Sequence, residues 1–204
     1  MSRIALVVEG QGDVEAAPVL CHRILRDLIG TSDWFFNRQP VRRPRSTLVD
    51  ERSPSPRRTA HPSGLEKALA IAHASAADAI LLLCDADDDC PATFGPSCPT
   101  LFRRGDRTVP VRSVMACREF ESWFLWTPSG NRKAHSNPER HPRGAKEALR
   151  NRDGAYSPRV DQVELARSLD LRYVWARSDS FDKLVRSLAE LVDAPAPHRP
   201  PTDG

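Results

Sequence analysis

Three apolar runs in this chain each lead into acid: Ile4-Ala5-Leu6-Val7-Val8-Glu9-Gly10, Ala79-Ile80-Leu81-Leu82-Leu83-Cys84-Asp85-Ala86-Asp87, and Val114-Met115-Ala116 on the way to Arg118-Glu119-Phe120-Glu121. The first two are continuous rather than alternating, the pattern of strands buried on both faces of a parallel sheet. A buried strand that ends in a carboxylate delivers it to one edge of the sheet. Several such strands side by side gather negative charge at one place. Close carboxylates cannot all ionise cheaply, and a bound divalent cation is the usual remedy. The same feature therefore constrains both the fold and the chemistry.

Between the runs lie helix and turn signals. Gly10-Gln11-Gly12 reads as a turn, and Gly12 or Asp13 as the cap of a helix over about 14–29. Pro18 is expected only in its first turn, and Gly30 is its natural stop. A short strand is expected at 33–37. Residues 38–62 are rich in proline and arginine and have no helical period, so they read as an irregular basic segment. Ser63 is expected to cap a helix over 65–76, with Leu65, Leu69 and Ala72 on one face. Strands at 79–84 and 108–116 follow, separated by a loop at 85–99, and a short helix spans 119–126. Residues 127–144 read as a mobile connection. Three helices, about 145–151, 160–168 and 180–192, complete the chain. Ser180 is expected to cap the last of them, with Phe181, Leu184, Leu188 and Leu191 on one stripe. This alternation of strands and helices predicts an α/β layer with a mostly parallel sheet, whose sites lie at the carboxyl ends of the strands. The expected organisation is an α/β core over 1–126 with a basic insertion at about 38–62, a helical lid or extension over 127–192, and a fraying tail over 193–204.

Glu9-Gly10 after one strand and Asp85-x-Asp87 after a later one resemble the Toprim signature of topoisomerases, primases and overcoming-lysogenization-defect nucleases. Glu9-Gly10-Gln11-x-Asp13 is similar to the Glu-Gly-x-x-Glu opening of the nuclease branch. Arg118-Glu119-Phe120-Glu121-Ser122-Trp123-Phe124 resembles the His-Glu-Phe-Glu-Ala segment of domain of unknown function family 4276. So do Ala145-Lys146-Glu147, Ala155-Tyr156-Ser157-Pro158 and Arg177-Ser178-Asp179-Ser180-Phe181. The likeness runs from Arg3 to about Leu191. It implies a Toprim-like fold in which Glu9, Asp85 and Asp87 hold Mg2+ or Mn2+, with Asp13 and Glu119 assisting. It also implies an ABC/AAA-type ATPase partner and a role in anti-phage defence. Three departures stand out: Asp13 is shorter than the family's glutamate, Arg118 replaces its histidine, and 38–61 has no counterpart. Glu119 and Glu121 cannot share a face of one helix, so Glu119 is expected to face the site and Glu121 the solvent.

Composition narrows the function classes. Among 204 residues the net charge is +3, and nearly all the basic residues are arginine. Arginine richness reads either as the grip on a phosphate backbone or as the imprint of a GC-rich genome. Lys146, Arg118 and Arg143 are the candidate phosphate-binding residues, with helix-surface charge as the bland alternative for them. The five cysteines have no C-x-x-C spacing, so a zinc site from Cys90, Cys98, His135 or His141 is not expected. No apolar run is long enough to span a bilayer and the N-terminus carries no signal-peptide pattern, so a cytoplasmic protein is expected. The third glycine of a dinucleotide fingerprint and the Walker motifs are missing. The first expectation is thus a metal-dependent nuclease acting on DNA or RNA. A non-catalytic or partner-regulated module comes second, and a nucleic-acid binder without chemistry third.

Overall fold

The first apolar run becomes strand β1 (Ser2–Val8) of a computed structural model that describes residues 1–49, 64–91, 98–126, 137–140 and 143–202. Helix α1 (Asp13–Ile24) follows, runs on through a π-helical turn at Leu25–Ile29, and ends at Gly30, where φ is 82°. Only glycine takes that left-handed backbone without strain, which is why the helix stops there. Pro18 lies inside α1 and not in its first turn as expected, so it offers no N–H to the Val14 carbonyl.

The short strands β2 (Trp34–Phe36) and β3 (Val41–Arg42) both pair parallel with β1 along the same edge. Ile4 faces Phe36 and Val7 faces Val41, so three steps along β1 meet five along its neighbour, and the surplus bulges out before β3. The expectation of an irregular segment from 38 is therefore corrected at its start. Val41–Arg42 joins the sheet and α2 (Arg45–Leu48) makes a single helical turn, while 50–63, including the proposed cap Ser63, lie outside the described residues. Helix α3 (Gly64–Ala74) leads to β4 (Ala79–Asp85). Next come β5 (Leu101–Arg104) and β6 (Arg107–Ala116), an antiparallel hairpin closed by Gly105-Asp106. This hairpin was not expected, although Gly at the first position of a two-residue turn is a recognised signal.

The sheet order is β2/β3, β1, β4, β6, β5, with every pairing parallel except β5–β6. The α/β expectation with a mostly parallel sheet holds. Alternation within each strand splits the core in two. Ile4, Leu6, Val8, Leu81, Leu83 and Val114 meet α1 and the C-terminal helices. Ala5, Val7, Ile80, Leu82, Cys84 and Val111 meet α3.

Beyond β6 a 3₁₀ helix (Phe120–Leu125) and a short 3₁₀ turn (Pro138–Arg140) precede α4 (Ala145–Asp153), α5 (Asp161–Ser168), α6 (Leu171–Arg177) and α7 (Asp179–Leu191). Helix α6 was not expected. Ser178, not Ser180, caps α7, its Oγ accepting from the Phe181 N–H at 3.0 Å. Helix α5 packs on α1 and α7 on β6, within the hydrophobic cluster on that face of the sheet. The connection expected at 127–144 lies mostly outside the described residues. The tail is anchored as far as Arg199, whose Nε donates to the Trp175 carbonyl at 2.8 Å.

Candidate functional site

Because β1, β3, β4 and β6 are parallel, Glu9, Arg43, Ala86 and Cys117 leave the sheet at the same edge. From β1 the chain moves outward through α1 to β2 on one face. It then returns through α3, on the other face, to β4 on the opposite side of β1. Strand order reverses between β1 and β4, and in open α/β sheets that crevice is where ligands bind. Asp85 ends β4, and Glu9 follows the last residue of β1.

The Glu9 side chain reaches the end of β4, where its Oε2 accepts from the Asp85 backbone N–H at 3.3 Å. Asp85 Oδ1 accepts from the Phe120 N–H at 2.8 Å, which ties β4 to the 3₁₀ helix. Asp13 accepts through Oδ2 from the Gly10 N–H at 2.7 Å and through Oδ1 from Gln162 Nε2 at 3.0 Å. Burial pushes the carboxyls of Glu9 and Asp13 above their ordinary range, Glu9 further through the charges of Asp87 and Asp13. Asp85 rises well above it, first by burial and then by repulsion from Asp13, Glu121 and Glu9.

Glu121 corrects the expectation that it faces solvent. It is 2 % exposed, its Oε1 accepts from the Tyr156 hydroxyl at 3.2 Å, and burial pushes its carboxyl up to about 7. Glu119 is also buried and faces inward, its Oε2 accepting from the Ala145 N–H at 2.8 Å. Both acids turn inward because the segment is not an α-helix. Glu119 is extended, at φ −134° and ψ 152°, and the tighter 3₁₀ turn begins only at Phe120. Lys146, from the start of α4, places Nζ 3.7 Å from Glu121 Oε1. Burial alone would lower its pKa, but Glu121, Asp85, Glu119 and Asp13 outweigh that and raise it.

Asp87 is divided from Asp85. Its φ of 54° is left-handed, as is that of Arg118 at 67°, and the Asp87 N–H donates to the Arg118 carbonyl at 2.8 Å. Such non-glycine conformations cost about 1–2 kcal/mol each and persist where surrounding contacts impose them. Here the contacts are arginines from three elements. Arg143 Nη2 lies 2.8 Å from Asp87 Oδ1, and Arg118 Nη1 lies 3.0 Å from Asp88 Oδ1. The buried Arg45 donates Nε to the Asp85 carbonyl at 3.1 Å and pairs with Asp89. Each cation expected to bind phosphate thus faces an acid of the chain: Lys146 faces Glu121, Arg118 faces Asp88 and Arg143 faces Asp87.

All the donors in the basin are hard oxygens, which suit Mg2+ or Mn2+ rather than zinc. Among the described residues no three His, Cys, Asp or Glu side chains converge to hold a metal ion. Asp13, Glu119 and Asp87 are directed instead at Gln162, Ala145 and Arg143. Glu9 and Asp85 likewise accept from the backbone N–H groups of Asp85 and Phe120, each through one oxygen; one or two carboxylates with waters and phosphate oxygens are the usual surroundings of protein-bound Mg2+. Cys84 is buried beside the site and burial pushes its thiol up, so it packs as an apolar residue. The zinc candidates His135 and His141 lie outside the described residues.

Sequence reasoning missed Arg45, Tyr156 and Gln162. The first belongs to the segment read as irregular, and the other two come from the C-terminal helices and the turn before them. Among the described residues no helix is long and apolar enough to cross a membrane. Comparison with models of known protein families, with curated proteins and with solved structures found no match to this chain.

Proposed function

We propose that the chain is a Toprim-like phosphodiesterase that cuts nucleic acid with Mg2+ or Mn2+ held by Glu9 and Asp85. The observation that carries this reading is the approach of Glu9 to Asp85, 3.3 Å from Oε2 to N, in the crevice where strand order reverses. The sequence likeness to the Toprim nucleases supports it independently. A hard dication there supplies a water of lowered pKa and neutralises charge on the phosphate. The chain's own residues do the rest. Asp85 is fixed by the Phe120 N–H, so one oxygen is oriented before any ligand arrives. In this reading Arg42, beside Val8, and Arg43, whose N–H donates to the Val8 carbonyl, would grip the phosphate backbone, while Arg118 and Arg143 are paired with Asp88 and Asp87. The free cysteines fit a reducing, cytoplasmic compartment.

The test is cleavage of DNA, RNA and tRNA by purified protein with Mg2+ or Mn2+, beside Asp85→Ala. The variant is expected to lose at least about 100-fold, since even outer partners of a metal site are worth about 10–100-fold. Equal rates would remove the site. A second reading, a module released by an ABC/AAA-type ATPase, draws on one observation: Asp87 and Asp88 already hold Arg143 and Arg118. It expects wild type to be silent alone and to cleave once the ATPase is added.

A further inference from the structure

Away from the acid basin, a groove of about 530 Å³ lies between α1, β2 and α5. Phe36, which lines it, pairs with Ile4, five residues before Glu9 and so about 16 Å back along an extended chain. Three of the lining side chains are apolar: Pro18, Val19 and Phe36. The other four, His22, Arg23, Arg26 and Arg167, are basic. Both irregularities of α1 fall here. Pro18 interrupts its hydrogen-bond ladder, and Arg26 belongs to the π-helical turn Leu25–Ile29. Such turns are rare and recur at functional sites. The arginines are each held by one edge. Arg23 donates Nη1 to the Ala166 and Leu169 carbonyls at the end of α5, both at 2.9 Å. Arg26 holds Asp27 through Nε and Nη2, at 2.6 and 3.0 Å, and Arg167 pairs with Glu164 through Nη1. Arg23 Nη2, Arg26 Nη1, Arg167 Nη2 and the His22 ring have no hydrogen-bond partner among the described residues. Positioned guanidinium forks with unspent donors are the form in which proteins recognise phosphate. Three arginines against Asp27 and Glu164 leave a single positive charge with His22 neutral, which suits a small anion and not a long polyanion.

We propose that this groove binds a nucleoside monophosphate, with the phosphate on Arg23, Arg26 and Arg167 and the base on Phe36. The proposal stands apart from the metal reading above and needs no divalent ion. Pockets for small ligands span about 300–1,000 Å³, are largely apolar and carry a few placed polar groups, and this groove has that make-up. A bare phosphate would leave Pro18, Val19 and Phe36 uncovered. A bare nucleoside would leave the guanidinium donors unmet. A base stacks on an aromatic ring whatever its sequence identity, so the class of ligand is set by the phosphate and the flat ring together.

The experiment is isothermal titration of the full chain with AMP, ribose 5-phosphate, adenosine and inorganic phosphate, in EDTA so that no divalent ion takes part. Wild type is expected to bind one AMP, and each of the other three at least about 10-fold more weakly. Arg26→Gln with Arg167→Gln changes two exposed side chains outside the core and is expected to weaken AMP by about 10-fold or more. Phe36→Leu, checked for folding by circular dichroism, is expected to weaken AMP by about 10-fold and to leave phosphate affinity unchanged. Should that variant fail to fold, the comparison of AMP with ribose 5-phosphate on wild type carries the test of the base. Failure of wild type to take up AMP overturns the proposal. So does unchanged AMP affinity in the double arginine variant or in folded Phe36→Leu. Phosphate or ribose 5-phosphate binding as tightly as AMP overturns it too, since the site would then hold an anion without regard to the ring.

Discussion

Glu121 shows how much a single carboxyl depends on what surrounds it. Buried at 2 % exposure, it is pushed from an ordinary value of 4.5 up to about 7, while Lys146 pulls the other way. An acid whose pKa is raised on folding binds its proton more tightly in the native state. Its stabilising effect is therefore complete below about pH 4.5 and is lost as pH rises through about 7. Asp85, Asp13 and Glu9 shift in the same direction, so the basin as a whole favours mildly acidic conditions when no cation is present. Glu121→Gln keeps an oxygen for the Tyr156 hydroxyl and removes the ionisation. Without divalent cations it is expected to raise Tm by about 5 °C at pH 8 and to change little at pH 4.5. Thermal melts at the two pH values check this; an equal shift at both would mean that Glu121 does not titrate in between.

The contact between α1 and α5 is set by a glycine. Gln162 is fully buried and donates to Asp13 from α5, and its Oε1 lies against Gly12. Its oxygen has no hydrogen-bond partner among the described residues, so the glutamine is held by packing as much as by polar contact. Gly12→Ala would set a methyl 1.8 Å from that oxygen and 2.8 Å from the Pro158 backbone. Backbone cannot swing aside as a flexible side chain can, so the helices must separate. The expected cost is about 3 kcal/mol, at the upper end for overpacking, together with loss of the Asp13 orientation. Gly30→Ala meets no atom within 4 Å and pays only for its φ of 82°, about 1–2 kcal/mol. Urea unfolding of the two variants should rank them in that order, and the reverse ranking would mean that α5 gives way easily.

At the scale of the molecule, charge is arranged by the sheet. Parallel strands carry Glu9 and Asp85 to one edge, and the same parallelism brings Arg42, paired with Val8, to the rim beside them. A basin of acids is thus flanked by arginines, and under the proposed function a polyanion would be held by its backbone around the acids. If the chain binds nucleic acid this way, affinity falls steeply between about 50 and 200 mM salt. Replacing Arg42 and Arg43 together by Ala is expected to reduce the slope of log affinity against log salt by about 2 and to leave the sheet intact. Fluorescence anisotropy with a labelled oligonucleotide measures the slope. An unchanged slope would place the path elsewhere. Neither arginine belongs to the hydrophobic core, so a fall in Tm would be unexpected.

Local patterns were sufficient for the strands and the acids at their ends. Ile4 to Val8 and Ala79 to Cys84 are too apolar to lie anywhere but inside, and a strand buried on both faces must release its terminal carboxylate at an edge. Glu9 and Asp85 were legible for that reason, and so was the glycine stop at Gly30. Arg45 and Gln162 were not, because nothing in their own neighbourhoods marks them, and Tyr156 was marked only by its segment's resemblance, without a role; all three matter through partners 35 to 149 positions away. The orientation of Glu121 also escaped, because the rule that residues two apart diverge holds for an α-helix and the segment is a 3₁₀ turn entered from an extended residue. Which strands carry acid was decided by hydrophobicity along the chain. Which acids share a basin with Lys146, and which are taken by arginines, was decided by how the C-terminal helices close over the sheet, since only that packing brings charges so distant in sequence within a few ångströms of each other.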